Sequence, residues 1–138
     1  DIKWIDQTFN RALKLWLLSV CGGIVMLFGC QYFYHIWIGN KVLVPFTVSL
    51  STFIYVSFFN LNNCVTYLIN GLNKIRIQII TSLVITATYV LTIMSMGKQL
   101  GIEGIVLCMA ASYAVMSLIH LYQCKLLIKG KATGIWNK

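Results

Sequence analysis

Charged side chains divide the chain into four long apolar stretches. The charge-free stretches lie between Lys14 and Lys41, Lys41 and Lys74, Arg76 and Lys98, and Glu103 and Lys125. A helix needs about 20 apolar residues, each rising about 1.5 Å, to cross about 30 Å of membrane hydrocarbon. Each stretch is long enough for one crossing and too short for two. The pattern therefore predicts an all-α integral membrane protein with four antiparallel transmembrane helices, at about 13–36, 46–69, 78–97 and 104–127.

The junctions between the stretches carry residues that start or end helices. Pro45 suits the first turn of a helix, which tolerates a missing N–H. Residues 70–73, with the sequence Asn-Gly-Leu-Asn, accept left-handed backbone conformations and can close one helix before the next begins. Gly97 and Gly101 bracket the third connection.

The two ends of the chain differ from its apolar middle. The first residues place apolar side chains at near-helical spacing, at Ile2, Ile5, Phe9 and Leu13. This spacing predicts an amphipathic lead-in over residues 1–12 that lies along the membrane interface. The four-helix membrane domain then occupies residues 13–128, and a basic tail follows at 129–138.

Composition agrees with a membrane protein and excludes several other classes. Hydrophobic residues make up 59% of the 138 residues, charged residues 10%, and the mean hydropathy is +0.80. Soluble chains carry about 25% charged residues, and disordered, collagen-like or disulfide-rich chains have quite different compositions. The net charge of +8 is not gathered into a dense basic stripe, so nucleic acid is not expected as a partner.

The basic residues predict the orientation of the helices. Four antiparallel crossings place the start of the chain, the second connection and the tail on one side of the membrane. These regions hold every basic residue except Lys41 and Lys98, namely Lys3, Arg11, Lys14, Lys74, Arg76, Lys125, Lys129, Lys131 and Lys138. Because basic residues concentrate on the cytoplasmic side, we expect a multi-pass membrane protein with both ends of this segment in the cytoplasm.

The second predicted helix carries the candidate functional residues. Six of its polar side chains share one face: Ser49, Thr52, Asn60, Asn63, Tyr67 and Asn70. Asn62 adds another asparagine to the middle or inner half of the helix. An unpaired amide in hydrocarbon costs several kcal/mol, so these groups must face other helices or water. Two interpretations remain open: hydrogen bonds between helices, each contributing about 0.6–2 kcal/mol, or a hydrated cavity for hydroxyl-rich cargo. Asn60, Asn63 and Asn70 are the candidate substrate-cavity residues.

Other kinds of site are not expected. Asp and Glu are absent from all four predicted crossings, whereas coupling to protons or sodium normally uses an ionisable group within the membrane. His35 and His120 are expected near helix ends, and the five cysteines are expected to act as small apolar residues. The third predicted helix carries Thr81, Thr88, Thr92 and Ser95, whose hydroxyls are expected to bond back to their own helix. We expect no enzymatic activity, cofactor or metal.

Three short segments resemble those of polysaccharide flippases. Residues 67–78, Tyr-Leu-Ile-Asn-Gly-Leu-Asn-Lys-Ile-Arg-Ile-Gln, resemble the LNG-x-x-K-x-x-x-Q junction of Wzx-type O-antigen transporters. These transporters belong to the multidrug/oligosaccharidyl-lipid/polysaccharide exporter superfamily. Residues 100–107 resemble that family's LG-x-x-G entrance to a late helix, and residues 36–39 resemble its WLG segment near an outer helix end.

The resemblance implies both an architecture and an activity. Family members have two six-helix lobes with cytoplasmic termini, so this chain would supply the last four of twelve helices and belong to a longer protein. The implied function is movement of lipid-linked oligosaccharide, such as O-antigen or other polysaccharide repeat units, across the bacterial inner membrane by alternating access. The implied partners are membrane lipids, lipid-linked oligosaccharide and the remaining N-terminal part of the same transporter.

Two alternatives remain beside the flippase. A drug/cation antiporter of the same superfamily would need an intramembrane carboxylate upstream of this segment. A non-transporting four-helix scaffold subunit would use the same polar residues for packing alone.

Overall fold

The computed structural model describes residues 2–39 and 44–137, with the side chain of Ile2 excepted. The described chain is all helical, as the sequence predicts. It comprises α1 (Ile2–Ile38), α2 (Phe46–Gly71), α3 (Arg76–Ile128) and a short 3-10 helix (Gly134–Asn137). Lys41 and most of the first connection lie outside the described residues.

α1 is one continuous helix that contains two segments predicted separately from the sequence. The predicted lead-in and the predicted crossing at 13–36 belong to one helix of 37 residues. Phe9, within the lead-in, is 5% exposed and belongs to the same apolar cluster as Ile69 of α2 and Cys124 of α3. Phe9 and Leu13 of this predicted apolar face therefore pack on the other helices.

The turn between α2 and α3 follows the prediction made from residues 70–73. α2 begins after Pro45, which occupies the N-cap position, and ends at Gly71. Asn73 has a φ of 56°, which is the left-handed conformation that asparagine tolerates better than most residues. The N–H of Asn73 donates to the carbonyl of Asn70 over 2.9 Å and closes the turn.

α3 spans 53 residues but reverses direction at Gly101. There φ is 62° and ψ is −174°, and two helical segments meet across a kink. Thr81 and His120 are 39 residues apart and would be separated by about 58 Å along a straight helix. Their side chains instead approach within 3.0 Å. We call residues 76–100 the first arm and residues 102–128 the second arm.

Hydrogen bonds define how the helices run beside one another. α1 and α2 are antiparallel, because Trp16 bonds to Ser57 while Tyr34 bonds to Ser49. The first arm returns antiparallel to α2, with Gln78 bonded to the carbonyl of Thr66. The second arm runs parallel to α2, as shown by the bonds that join Thr47 to Glu103 and Phe58 to Ser117.

The buried apolar core lies at the end of the molecule where α1 begins and where α2 and α3 end. It contains Phe9, Leu61, Val65, Ile69 and Cys124. The tail folds back onto this end, because the Lys74 ammonium donates to the carbonyl of Asn137 over 2.9 Å. The basic residues at the start of α1, in the α2–α3 turn and after α3 are thereby gathered at one end.

The outer surface of the helices is strongly apolar. Met26 and Phe28 of α1 are 76% and 80% exposed, and Leu83 and Met94 of α3 are 70% and 80% exposed. Two helical segments, Lys3–Ile38 and Arg76–Ile128, are long and apolar enough to cross a membrane. α2, which contains the predicted crossing at 46–69, carries many polar side chains and is not one of these two.

Replacing Gly101 by alanine tests the reversal in α3. The conformation at Gly101 is one that residues with a Cβ adopt at a cost of about 1–3 kcal/mol. Gly101→Ala should therefore destabilise the protein by that amount in thermal unfolding followed by circular dichroism. Gly22→Ala is the matched control, since its Cβ meets nothing within 4 Å in a helix and should stabilise by about 0.5–1 kcal/mol. Equal stability of the two variants would contradict the reversal.

Candidate functional site

α2 presents polar side chains in two directions. On one side Asn62 and Thr66 meet Thr81 of the first arm and His120 of the second arm. We call these four residues the His120 junction. On another side Asn60 and Asn63 line a cleft against α1.

The imidazole of His120 is held through both ring nitrogens. Nδ1 lies 2.9 Å from Oδ1 of Asn62 and 3.4 Å from the hydroxyl of Thr66. Nε2 lies 3.0 Å from the hydroxyl of Thr81. His120 is only 1% exposed, so its ring has lost its hydrogen bonds to water. The bonds to Asn62, Thr66 and Thr81 replace them. The junction therefore fastens α2 to both arms of α3.

The placement of His120 corrects the expectation from the sequence. The sequence predicts His120 near a helix end, whereas in the structure it lies within the second arm and is almost completely buried. Its partners Asn62 and Thr81 are 58 and 39 residues away in sequence, so sequence spacing does not reveal them. The available signal was an ionisable residue inside a predicted crossing, which by itself suggests a functional or structural site.

The second polar feature is a cleft of about 390 Å³ between α1 and α2. We call it the amide cleft. It is lined by Leu15, Trp16, Ser19, Asn60, Asn63, Cys64 and Tyr67. The indole N–H of Trp16 donates to the carbonyl of Ser57 over 2.8 Å, which fixes the ring at the wall of the cleft.

The amides in the cleft differ from the amide in the junction. Asn62 is 6% exposed and bonded to His120. The side chains of Asn60 and Asn63 are half-buried, and within residues 2–39 and 44–137 neither forms a side-chain hydrogen bond. Each of these amides can therefore offer two donors and a carbonyl acceptor to a ligand. Because the cleft lining carries no charged side chain, it suits a neutral polar group.

The third candidate residue lies apart from the other two. Asn70 is exposed near the C-terminal end of α2 and does not line the amide cleft. The structure thus brings Asn60 and Asn63 to one cleft and leaves Asn70 at the turn that leads to α3.

The hydroxyls of the first arm bond back to their own helix, as predicted. Thr88, Thr92 and Ser95 each donate to the carbonyl four residues earlier over 2.9 Å. The hydroxyl oxygen of Thr81 likewise lies within hydrogen-bonding distance of the carbonyl of Ile77, at 2.8 Å. Thr81 differs from the others because its oxygen also contacts His120.

Comparisons with known proteins supply no family assignment. No protein-family model, curated protein or solved structure matches this chain. In the described part of the chain, no three His, Cys, Asp or Glu side chains come together in a way that could hold a metal ion.

Two asparagine variants on one helix separate the junction from the cleft. Asn62→Leu leaves Nδ1 of His120 without its nearest partner and should destabilise the protein by about 1–3 kcal/mol. Asn60→Leu removes no hydrogen bond within the described chain and should change stability by less than about 0.5 kcal/mol. Unfolding of both variants in detergent micelles measures the difference. A tolerated Asn62→Leu would show that the junction does not hold the helices together.

Proposed function

We propose that this chain is a membrane-embedded helical bundle that forms part of a flippase for lipid-linked oligosaccharide in the bacterial inner membrane. The amide cleft is the observation that carries the proposal. Two amides whose side chains have no hydrogen-bond partner in the described part of the chain share an uncharged wall with a serine, a tyrosine and an indole. In an otherwise apolar chain, unpaired amides are costly unless water or a polar ligand meets them.

The chemistry of the cleft matches that of a sugar. Sugar hydroxyls donate and accept hydrogen bonds, and the carboxamides of Asn60 and Asn63 do both as well. The indole of Trp16 adds an apolar surface against which the carbon-bound hydrogens of a sugar ring can pack. A diphosphate linkage would require basic partners, and the remaining N-terminal part of the transporter is proposed to supply them.

The membrane arrangement has four crossings, formed by α1, α2 and the two arms of α3. The exposed apolar surface of α1 and α3 supports contact with lipid, since soluble proteins rarely expose large apolar patches. The reversal at Gly101 supports two crossings within α3. The gathering of basic residues at one end supports a cytoplasmic location for both ends of the segment.

A second candidate function is a non-transporting scaffold subunit. The His120 junction favours it, because Asn62, Thr81 and His120 satisfy one another and need no ligand. A drug/cation antiporter has less support. The carboxylate of Glu103 accepts a hydrogen bond from Thr47 at the end of the bundle opposite the core, so an acidic coupling site would have to lie upstream of this segment.

Substitution of Asn63 tests transport. In the complete transporter, Asn63→Leu should reduce export of surface polysaccharide about three- to tenfold, which corresponds to one or two lost neutral hydrogen bonds. Membrane insertion should be unchanged. Asn70→Leu, outside the cleft, is the matched control and should have the smaller effect. Normal surface polysaccharide with Asn63→Leu would contradict the flippase proposal and favour the scaffold.

Reporter fusions test the four crossings. Alkaline phosphatase is active in the periplasm, so a fusion near Lys98 should be active and a fusion after Asn137 should be inactive. A fluorescent-protein fusion after Asn137 should give the complementary signal in the cytoplasm. Phosphatase activity at the C-terminal fusion would rule out an even number of crossings with both ends inside.

A further inference from the structure

His120 is an ionisable side chain of the second arm, buried among neutral partners from α2 and the first arm. Its closest partners are the Asn62 amide on α2 and the Thr81 hydroxyl on the first arm. Neither partner has a charge to balance a charged imidazole. The protonation state of the imidazole is therefore linked to the packing of α2 against both arms.

The hydrogen atoms of the junction can be arranged for a neutral ring. With Oδ1 of Asn62 facing Nδ1, the Nδ1–H donates to that oxygen. The hydroxyl of Thr81 then donates to the lone pair of Nε2. In this state both ring nitrogens are satisfied without any charge.

The same atoms can also receive one additional proton. A proton on Nε2 donates to the oxygen of Thr81, which lies 3.0 Å away. The hydroxyl hydrogen of Thr81 then turns to the carbonyl of Ile77 at 2.8 Å. Rotation of a single hydroxyl therefore gives every ring nitrogen a partner in both protonation states.

We propose that the His120 junction is a proton-binding site that controls how tightly the second arm packs against α2. One proton from the aqueous phase binds at Nε2, and the Thr81 hydroxyl turns from the ring to Ile77. The resulting imidazolium is held by neutral oxygens alone. Because a buried charge without a counter-charge is costly, protonation loosens the contact between the second arm and α2. This site acts independently of any sugar cargo.

The surrounding elements supply no counter-charge through a bond to the ring. α2 faces His120 with the neutral Asn62 and Thr66, and Gln78 of the first arm bonds to the carbonyl of Thr66. The titratable and charged groups of the packed elements are Lys3, Asp6, Arg11, Lys14, Cys21, Cys30, Tyr32, Tyr34 and His35 on α1, Tyr55, Cys64 and Tyr67 on α2, Lys74 in the turn, Arg76, Tyr89 and Lys98 on the first arm, and Glu103, Cys108, Tyr113, Tyr122, Cys124 and Lys125 on the second arm. None of these groups forms a hydrogen bond with His120 in the described chain.

The two histidines of the chain allow a clean spectroscopic test. His35→Gln leaves His120 as the sole histidine, and His120→Gln leaves His35, which is exposed on α1. The full chain, labelled with ¹⁵N-histidine and placed in lipid nanodiscs, is titrated by NMR between about pH 5 and pH 8, where histidine changes charge. We expect the Nε2 resonance of His120 to move from that of a bare nitrogen to that of a protonated one while Nδ1 stays protonated. A ring that does not titrate in this range overturns the proposal.

Hydrogen exchange measures the response of the packing. After correction for the intrinsic pH dependence of exchange, protection at residues 58–66 and 113–124 should fall about tenfold as His120 becomes protonated. His120→Gln should remove this change. Protection that is insensitive to pH in the wild type, or equally sensitive in His120→Gln, contradicts the proposal.

Threonine variants keep the test valid if His120→Gln does not fold. Thr81→Val removes the hydroxyl that accepts the bond from protonated Nε2, so the midpoint of the His120 titration should shift. Thr88→Val is the matched control, because Thr88 makes the same bond to its own helix and does not bond to His120. Identical titrations in the two variants would exclude Thr81 from the proton site.

Discussion

The cost of leaving a polar group unpaired in apolar surroundings governs the architecture of this protein. α2 carries four asparagines and eight hydroxyl side chains and lies against α1 and both arms of α3. Asn62 is paired with His120 inside the bundle, whereas Asn60 and Asn63 face a cleft. The outer helices instead expose large apolar side chains such as Phe28 and Met94. The amide of Asn62 is thus paired inside the bundle and large apolar side chains lie outside, which is the arrangement that lipid favours.

The reversal at Gly101 makes the junction possible. It returns the second arm alongside α2, and only in that position can His120 reach Asn62 and Thr81 together. The buried apolar cluster around Ile69 and Cys124 packs at the end of the bundle where α2 and α3 end. The reversal at Gly101 brings His120 beside α2, and the hydrogen bonds of His120 in turn hold the second arm in that position.

The two polar features of α2 have different consequences for function. The His120 junction satisfies its own hydrogen bonds and stabilises the contact between helices, as a scaffold requires. In the amide cleft, the side chains of Asn60 and Asn63 have donors and acceptors that are unpaired in the described chain, beside the indole of Trp16. A binding surface requires such groups. A transporter needs both properties, because its helices must hold together while a polar cargo passes an apolar environment.

The helical class, the helix ends near Pro45 and Gly71, and the polar face of α2 follow from the sequence, since hydropathy and turn preference belong to each residue and its near neighbours. The same local reasoning explains why the hydroxyls of Thr88 and Thr92 bond to their own helix. The role of His120, the division between Asn62 and Asn60, and the separation of Asn70 from the cleft were decided by tertiary structure alone. The physical reason is distance along the chain: the bonds of His120 join residues 39 and 58 positions apart, and no local pattern specifies which side chains meet once the chain has reversed.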